Sequence, residues 1–313
     1  MSGNAKEIKS IGNKANKVIK KAGGAVANAG VNAVDKVKEI QENLTFEEVL
    51  NRAIKAPGVR INREKYLRKQ FKGKYAEDVI ETAIKKNPAY AGIPREDIDK
   101  MAKSAIRYES SKVTAISAAA GIPGGAAMAA TVPADTVQYF GFLLRIMQKL
   151  AYLYGFEEFD FSEDDSFDDD TMAVILVFTG IMFGVKSANA AIKVVANTAA
   201  QKLSRTLARQ ALTKRAIYPI VKKVAIAIGF KMNKQIFADA VAKTVPVAGG
   251  VISGGLTYAT FTPSANRLKR KLGELNLSDP EFYKLSKEEQ DVLIEKDMAI
   301  DVDDEDVAIE KNR

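Results

Sequence analysis

The sequence predicts an all-α protein: a multi-helix bundle with Gly/Ala-rich helical hairpins that are either buried or dip into a membrane. Three observations support this prediction. Apolar residues recur at intervals of three and four over long parts of the 313-residue chain, as they do in amphipathic helices. Helix-start and helix-stop residues stand at the ends of these segments. No strand-like alternation of polar and apolar residues separates the first predicted helices.

The composition excludes most familiar catalytic chemistry. The chain contains no histidine, cysteine or tryptophan, which removes thiolate nucleophiles, histidine bases, zinc sites of the usual kind and disulfides. No P-loop or Rossmann glycine signature is present either. We therefore predict that the protein is not an enzyme and has no catalytic residue, cofactor or metal ligand. An enzyme that uses only Asp, Glu, Tyr, Lys or Ser stays an open alternative.

The charge is unevenly distributed. Residues 156–170 carry nine acidic and no basic side chains, residues 288–313 carry eleven acidic and three basic ones, and the rest carries 44 basic against 19 acidic. This remainder of the chain is strongly positive, and a positively charged surface attracts polyanions such as anionic lipid headgroups, nucleic acid or the chain's own acidic segments. No secretory signal is recognisable at the N-terminus, so the expected location is cytoplasmic, in association with a membrane.

The first predicted domain, residues 1–44, is a basic amphipathic helix. Its apolar residues from Ile8 to Leu44 fall in one stripe about 100° wide, with lysines on the opposite side. The stripe consists mostly of small residues, and each of three glycines costs about 1 kcal/mol, so the helix is expected to form on contact with an anionic bilayer. Packing on the protein's own body and a disordered basic arm are the alternatives. The candidate lipid contacts here are Lys14, Lys17, Lys20 and Lys21.

The second predicted domain, residues 45–285, begins with a run of helices. A capping box from Thr45 to Glu48 predicts a helix that starts at Phe46 and stops before Pro57. Further helices are predicted over 63–71, with Asn62 as N-cap, and over 75–86 and 95–120.

Three stretches without any charge follow, over 113–134, 171–185 and 244–266. The first and third are rich in glycine and alanine and are interrupted by prolines, and the middle one, which is the most apolar, is too short to span a bilayer. Buried or re-entrant core helices are the favoured interpretation. True membrane spans, or segments that switch between the two states, are the alternatives.

A helix predicted over 134–154 is apolar nearly all round, as buried helices are. Asp135, Gln138, Arg145 and Lys149 form a polar stripe along it. Asp135 and Arg145 lie roughly 15 Å apart along the axis, so each requires another partner. Asp135 and Gln138 are predicted to be structural. Arg145 and Lys149 are candidate lipid or polyanion contacts, with structural ion pairs as the alternative.

The most acidic segment, residues 157–170, is predicted to be an inserted loop that is solvated or docks on the protein itself; a divalent-ion site and a partner motif are alternatives. The following region, 186–238, has eleven basic residues and no acidic one. Lys202, Arg205 and Arg209 share one helix face there, which is predicted to contact headgroups or solvent. Aromatic residues are not interleaved with these charges, so no specific nucleic-acid binding is expected, although binding through bulk charge stays open.

Several motifs together resemble the bacterial EcsC protein family. They are the glycine-rich element 120–125, the Val-Pro-Ala-Asp helix start at 132–135 with Gln138 and Arg145, the Tyr-Leu-Tyr-Gly helix end at 152–155, and the Val-Pro element 245–250. The resemblance covers roughly 45–275. It implies a helical, membrane-associated bacterial protein and adds no catalytic residues. The family is named for a neighbour of an ABC-type transporter operon, which suggests a transporter or envelope process.

These observations predict a non-enzymatic, membrane-associated protein that binds anionic lipid surfaces. The alternative is a soluble scaffold that recruits protein partners through the acidic loop and the acidic C-terminal tail, residues 286–313. A homo-oligomer is a further possible partner state.

Overall fold

The computed structural model of the chain describes residues 46–121, 132–160, 169–205, 226 and 248–298. Within these ranges it contains nine α-helices and no strand, which confirms the predicted all-α fold. The helices are α1 (Phe46–Lys55), α2 (Arg63–Phe71), α3 (Glu77–Lys85), α4 (Arg95–Gly121), α5 (Val132–Leu153), α6 (Asp169–Phe183), α7 (Lys186–Arg205), α8 (Ala248–Gly273) and α9 (Lys287–Met298).

The first four helices begin and end close to where their local signals predict. Asn62 is the N-cap of α2, and its side chain accepts a hydrogen bond from the backbone N–H of Lys65 at 2.9 Å. Helix α3 starts two residues later than predicted. Glu77 and Asp78 lie in its first turn, where negative side chains interact favourably with the positive end of the helix dipole. These short helices therefore follow rules that operate within a few residues.

Helix α5 lies at the centre of the bundle, as its apolar circumference predicts. It packs against α1, α2, α4 and α8. The side chains along it that are fully buried include Leu143, Leu144, Ile146, Met147 and Leu150. A helix with neighbours on several sides has few positions for charge, so each charged residue on α5 requires a specific partner.

The most extensive helix contact joins α4 to α8. Phe261, Ala265 and Leu268 of α8 are fully buried, and Thr262 Oγ1 lies 2.9 Å from Ser110 Oγ of α4. The pair forms one wall of the core beside α5.

Helix α6 contains most of the uncharged stretch 171–185 and is a buried core helix. Ile175, Val177 and Phe178 are fully buried, and α6 packs on α7 and α8. Across the described ranges, none of the helices has both the length and the apolar character that crossing a bilayer requires. The other two uncharged stretches run into residues outside those ranges.

The start of the acidic loop docks onto α2. Glu158 Oε1 accepts hydrogen bonds from the backbone N–H of Arg63 at 2.9 Å and from Asn62 Nδ2 at 3.3 Å, and Phe159 is buried. Helix α6 begins at Asp169, so the last two residues of the predicted loop are helical. Residues 161–168 lie outside the described part of the chain.

The C-terminal part is held to the body by polar contacts. Asn87 Nδ2 donates to the carbonyl of Leu277 at 3.1 Å and to the hydroxyl of Tyr283 at 2.8 Å. Asp297 of α9 accepts from Asn276 Nδ2 at 3.0 Å and pairs with Lys193 of α7 at 3.5 Å. The first half of the predicted acidic tail is therefore a helix packed on α7, whereas residues 299–313 lie outside the described ranges.

Several predicted contacts fall where the structure gives no description. Lys14, Lys17, Lys20, Lys21 and Arg209 belong to segments outside the described residues. Asp135, Lys202 and Arg205 lie in helices whose backbone alone is described at those positions. Predictions about these eight side chains stay predictions.

Candidate functional site

A buried carboxylate joins α4 to α5. Glu109 of α4 is completely inaccessible to solvent. Arg145 donates to it twice, from Nε to Oε2 at 3.1 Å and from Nη2 to Oε1 at 3.0 Å. Lys149, one helical turn further along α5, donates to the same Oε1. One anion therefore serves two cations, and the cluster retains one net positive charge.

The cluster keeps Glu109 ionised. Burial alone would raise the pKa of the Glu109 carboxyl, but hydrogen bonds and charge attraction from Arg145 and Lys149 outweigh burial and lower it below 4.5. Loss of either cation would remove part of the stabilisation of the Glu109 carboxylate and would let burial raise its pKa. Loss of Glu109 would leave two cations side by side in a largely dry environment.

Arg145 also fixes the turn between α1 and α2. Its Nη1 donates to the carbonyl of Gly58, a residue with a φ of 76° that favours glycine. Gln148 holds the same turn, since it donates to the carbonyl of Val59 at 2.9 Å and accepts from the N–H of Ile61 at 2.8 Å. Two polar side chains of α5 thus hold the turn that borders the site.

Aromatic rings surround the second cation. Lys149 Nζ lies 5.1 Å from the ring centroid of Tyr108 and 5.9 Å from that of Tyr66, distances at which cation–π attraction operates. The Tyr66 hydroxyl is buried and has no hydrogen-bond partner among the described residues. Burial, together with the nearby charge of Glu109, raises its pKa. Lys149 therefore lies inside the protein, with its side chain 11% exposed.

An open groove of about 800 Å³ lies between α1, α4 and α5, beside the ion cluster. Its charged lining residues are Arg52, Lys112 and Arg145, one from each helix, and Gln138 adds an amide. The described lining contains no carboxylate. The remaining lining residues are apolar or lack polar side chains: Ala56, Pro57, Val59, Ala115, Ile116, Val137, Gly141 and Phe142.

The structure separates three members of the predicted polar stripe, and the side chain of the fourth, Asp135, lies outside what it describes. Gln138 and Arg145 line the groove, whereas Lys149 lies behind it against the tyrosines. Arg145 and Lys149 have the structural ion pairs that formed the alternative interpretation, and Arg145 contacts the groove as well. Lipid binding by these residues stays a prediction.

Sequence reasoning missed three residues of the site. Glu109 lies outside the predicted helix 134–154, and no pattern within that helix indicates it as the partner of Arg145. One signal was present, since Glu109 is the only acidic residue between Asp99 and Asp135. Arg52 and Lys112 lie on helices whose local pattern does not distinguish them from other surface cations.

The arrangement can accommodate an amphipathic anion. Cations from three helices can neutralise a negative group, and the apolar walls can cover a hydrocarbon chain. In the parts of the chain that the structure describes, no group of three or more acidic side chains is arranged to hold a metal ion.

Comparisons of the chain with models of known protein families, with curated proteins and with solved structures found no match. The resemblance to the EcsC family therefore stays a prediction, and the site is interpreted from its own geometry.

Proposed function

We propose that the protein is a non-enzymatic, membrane-associated helical protein that binds anionic lipid surfaces. The observation that supports this proposal is the groove in which Arg52, Lys112 and Arg145 stand beside apolar walls. Lipid headgroups and acyl chains offer the matching combination of anionic charge and hydrocarbon.

The surroundings of the groove fit the same proposal. Tyr108 is 52% exposed and Ile116 is 37% exposed on the same helix, and amphipathic aromatic rings are common where proteins meet the bilayer interface. Each basic residue near an anionic surface contributes about 1 kcal/mol to binding. The predicted contacts of the N-terminal helix and of Lys202, Arg205 and Arg209 would add to this attraction.

The proposal extends to location and family. A cytoplasmic protein with a basic surface would meet the anionic lipids of the inner leaflet. Membership of the EcsC family, with a role near a transporter or in an envelope process, is part of this proposal and depends on the sequence motifs alone.

Co-sedimentation with vesicles tests the proposal. The full chain is mixed with vesicles of phosphatidylcholine alone and with vesicles that contain phosphatidylglycerol, at low and at physiological salt. We expect binding to the anionic vesicles only, weakened by salt because surface charges are screened. Equal binding to both vesicle types, or none, would contradict the proposal. A carbonate wash should release a peripheral protein.

A second candidate function is a scaffold that recruits protein partners. The observation that favours it is on α9, where Val292 is 64% exposed and Leu293 is 37% exposed among acidic residues. Crosslinking with the full chain and with a Val292→Ser, Leu293→Ser variant tests it. Loss of the same crosslinked partner from the variant would support the scaffold, and unchanged crosslinks would exclude this surface.

A further inference from the structure

We infer that the groove between α1, α4 and α5 binds a single anionic phospholipid, with its headgroup phosphate at Arg52, Lys112 and Arg145 and one acyl chain along the apolar walls. The inference rests on the proposed function and deepens it, because it assigns recognition of the lipid to one site and three cations.

The cations have unused capacity for an anion. Arg52 and Lys112 form no ion pair with a carboxylate in the described part of the chain, and both side chains are exposed. Lys112 Nζ lies 4.6 Å from the ring centroid of Tyr108, a contact that leaves its positive charge without an anion. An arginine has five N–H donors. Arg145 uses three of them, two on Glu109 and one on the Gly58 carbonyl. The other two remain for a ligand in the groove.

Glu109 positions Arg145 for this role. The two hydrogen bonds from Nε and Nη2 fix the plane of the guanidinium, and the bond to Gly58 fixes it from the other side. A guanidinium that is already oriented loses less conformational entropy when it binds a phosphate. Glu109 is therefore a positioning residue, and it has no contact with the proposed lipid.

The walls suit a hydrocarbon chain. The volume of about 800 Å³ lies within the range of roughly 300–1,000 Å³ that is typical of small-molecule sites. Ala115 and Ile116 form one side and Val137 and Phe142 the other. Gly141 also lines the groove and allows α5 to pack closely on Val59, since a Cβ at this position would lie 3.2 Å from Val59 Cγ2.

Charge complementarity decides the occupant. An apolar peptide or an uncharged lipid would cover the walls but supply no negative charge to Arg52 and Lys112. It would also leave the net positive charge of the Glu109 cluster unbalanced beside a low-dielectric surface. A phosphate bound at the rim supplies that charge through charge-assisted hydrogen bonds. The same argument predicts a preference for an anionic headgroup over a zwitterionic one.

The test is calorimetric titration of the full chain with short-chain lipids below their micellar concentrations. Dihexanoyl phosphatidylglycerol is compared with dihexanoyl phosphatidylcholine and with glycerol 3-phosphate, which lacks acyl chains. We expect the wild type to bind the phosphatidylglycerol more tightly than either of the other two. Equal affinity for the two lipids would overturn the charge argument, and equal affinity for glycerol 3-phosphate would overturn the role of the walls.

Two variants locate the binding, and one controls for charge. Arg52→Gln with Lys112→Gln removes two cations from the rim, and about thirtyfold weaker binding is expected. Ala115→Trp fills the groove from an exposed position and should abolish binding. The control, Lys65→Gln with Lys103→Gln, removes the same charge from exposed positions of α2 and α4 and should change affinity less than twofold. Equal loss in the control would overturn the site.

The outcomes distinguish this inference from the proposed function. Vesicle binding that persists while neither groove variant changes the titration would overturn the groove and leave surface binding intact. If the chain binds the short-chain lipid in the titration but does not bind vesicles, the groove inference is supported and the proposed membrane-surface function is contradicted. No binding of any short-chain lipid by the wild type would overturn the inference, as expected if another segment of this chain covers the groove.

Discussion

Glu109 and Arg145 form a two-point ion pair between α4 and α5, with Nε 3.1 Å from Oε2 and Nη2 3.0 Å from Oε1. Lys149 shares the same carboxylate. The pair connects the packing of the core to the groove, because the guanidinium that Glu109 holds also lines the groove. Stability and ligand binding therefore depend on overlapping groups, and variants must be chosen to separate them.

Replacement of Glu109 by Gln should be severely destabilising. The variant leaves Arg145 and Lys149 next to each other without their anion, and broken buried ion pairs typically cost about 3–5 kcal/mol. Chemical denaturation measures the free energy of unfolding. Glu96→Gln, an exposed substitution on the same helix, is the matched control and should change it little. Equal effects of the two substitutions would show that the cluster does not stabilise the fold.

The contribution of Glu109 should depend on pH with a defined sign. The folded-state pKa of this carboxyl lies below the ordinary value of 4.5, so its contribution is fully present above that value and is lost as the pH falls through the folded-state pKa. The difference in unfolding free energy between wild type and Glu109→Gln should therefore be constant near neutrality and shrink below about pH 4.5. A difference that grows on acidification would contradict this account.

A double-mutant cycle isolates the Glu109–Arg145 interaction. We expect Arg145→Ala to cost less than Glu109→Gln, because Lys149 remains to neutralise the carboxylate. The coupling free energy of Glu109→Ala with Arg145→Ala should be favourable and lie between about 0.5 and 3 kcal/mol, as for other contacting residues. Additive effects would mean that the observed hydrogen bonds contribute nothing to stability.

Arg63, a buried cation outside the Glu109 cluster, gives an independent prediction about the fold. Arg63 is 8% exposed and donates to the carbonyls of Phe156 at 2.9 Å, Ile84 at 2.5 Å and Lys86 at 3.2 Å. An ammonium group cannot reach these separated acceptors in the same geometry, so Arg63→Lys should lower stability by about 2–4 kcal/mol. The exposed substitution Arg107→Lys should have no measurable effect on the thermal midpoint. Similar midpoints for both variants would contradict the prediction.

Gly155 shows where a side chain cannot fit. Its φ is 99°, and an added Cβ would lie 2.8 Å from Asn87 Nδ2 and 3.0 Å from the carbonyl of Leu277. Gly155→Ala should therefore disturb the contact that holds the C-terminal part and lower stability by more than about 2 kcal/mol. Gly73, with a φ of 76° and open space around it, is the control for backbone strain alone. The thermal midpoint should fall further for Gly155→Ala than for Gly73→Ala.

The sequence predicted what local rules determine. Helices α1, α2 and α4 lie close to their predicted bounds because Pro57, Asn62 and Pro94 act on the residues beside them. Two members of the predicted polar stripe of α5, Gln138 and Arg145, line the groove, and the roles predicted for them stay predictions.

The parts of the candidate site that the sequence did not predict depend on how the helices pack against one another. Glu109 lies 36 residues before Arg145, and no periodicity in either segment indicates that the two meet. The groove arises only when α1, α4 and α5 pack together, so Arg52 and Lys112 cannot be distinguished from other surface cations beforehand. Tertiary packing, which gives no local signal, thus determines the candidate site.

The most direct test of the account is to locate the bound lipid. The full chain is incubated with a phosphatidylglycerol that carries a photoreactive group on one acyl chain, irradiated and digested, and the labelled residues are identified by mass spectrometry. We predict labels on the groove walls, at Ala115, Ile116 and Phe142, and their loss in Ala115→Trp. Labels that lie elsewhere and persist in that variant would contradict lipid binding in the groove.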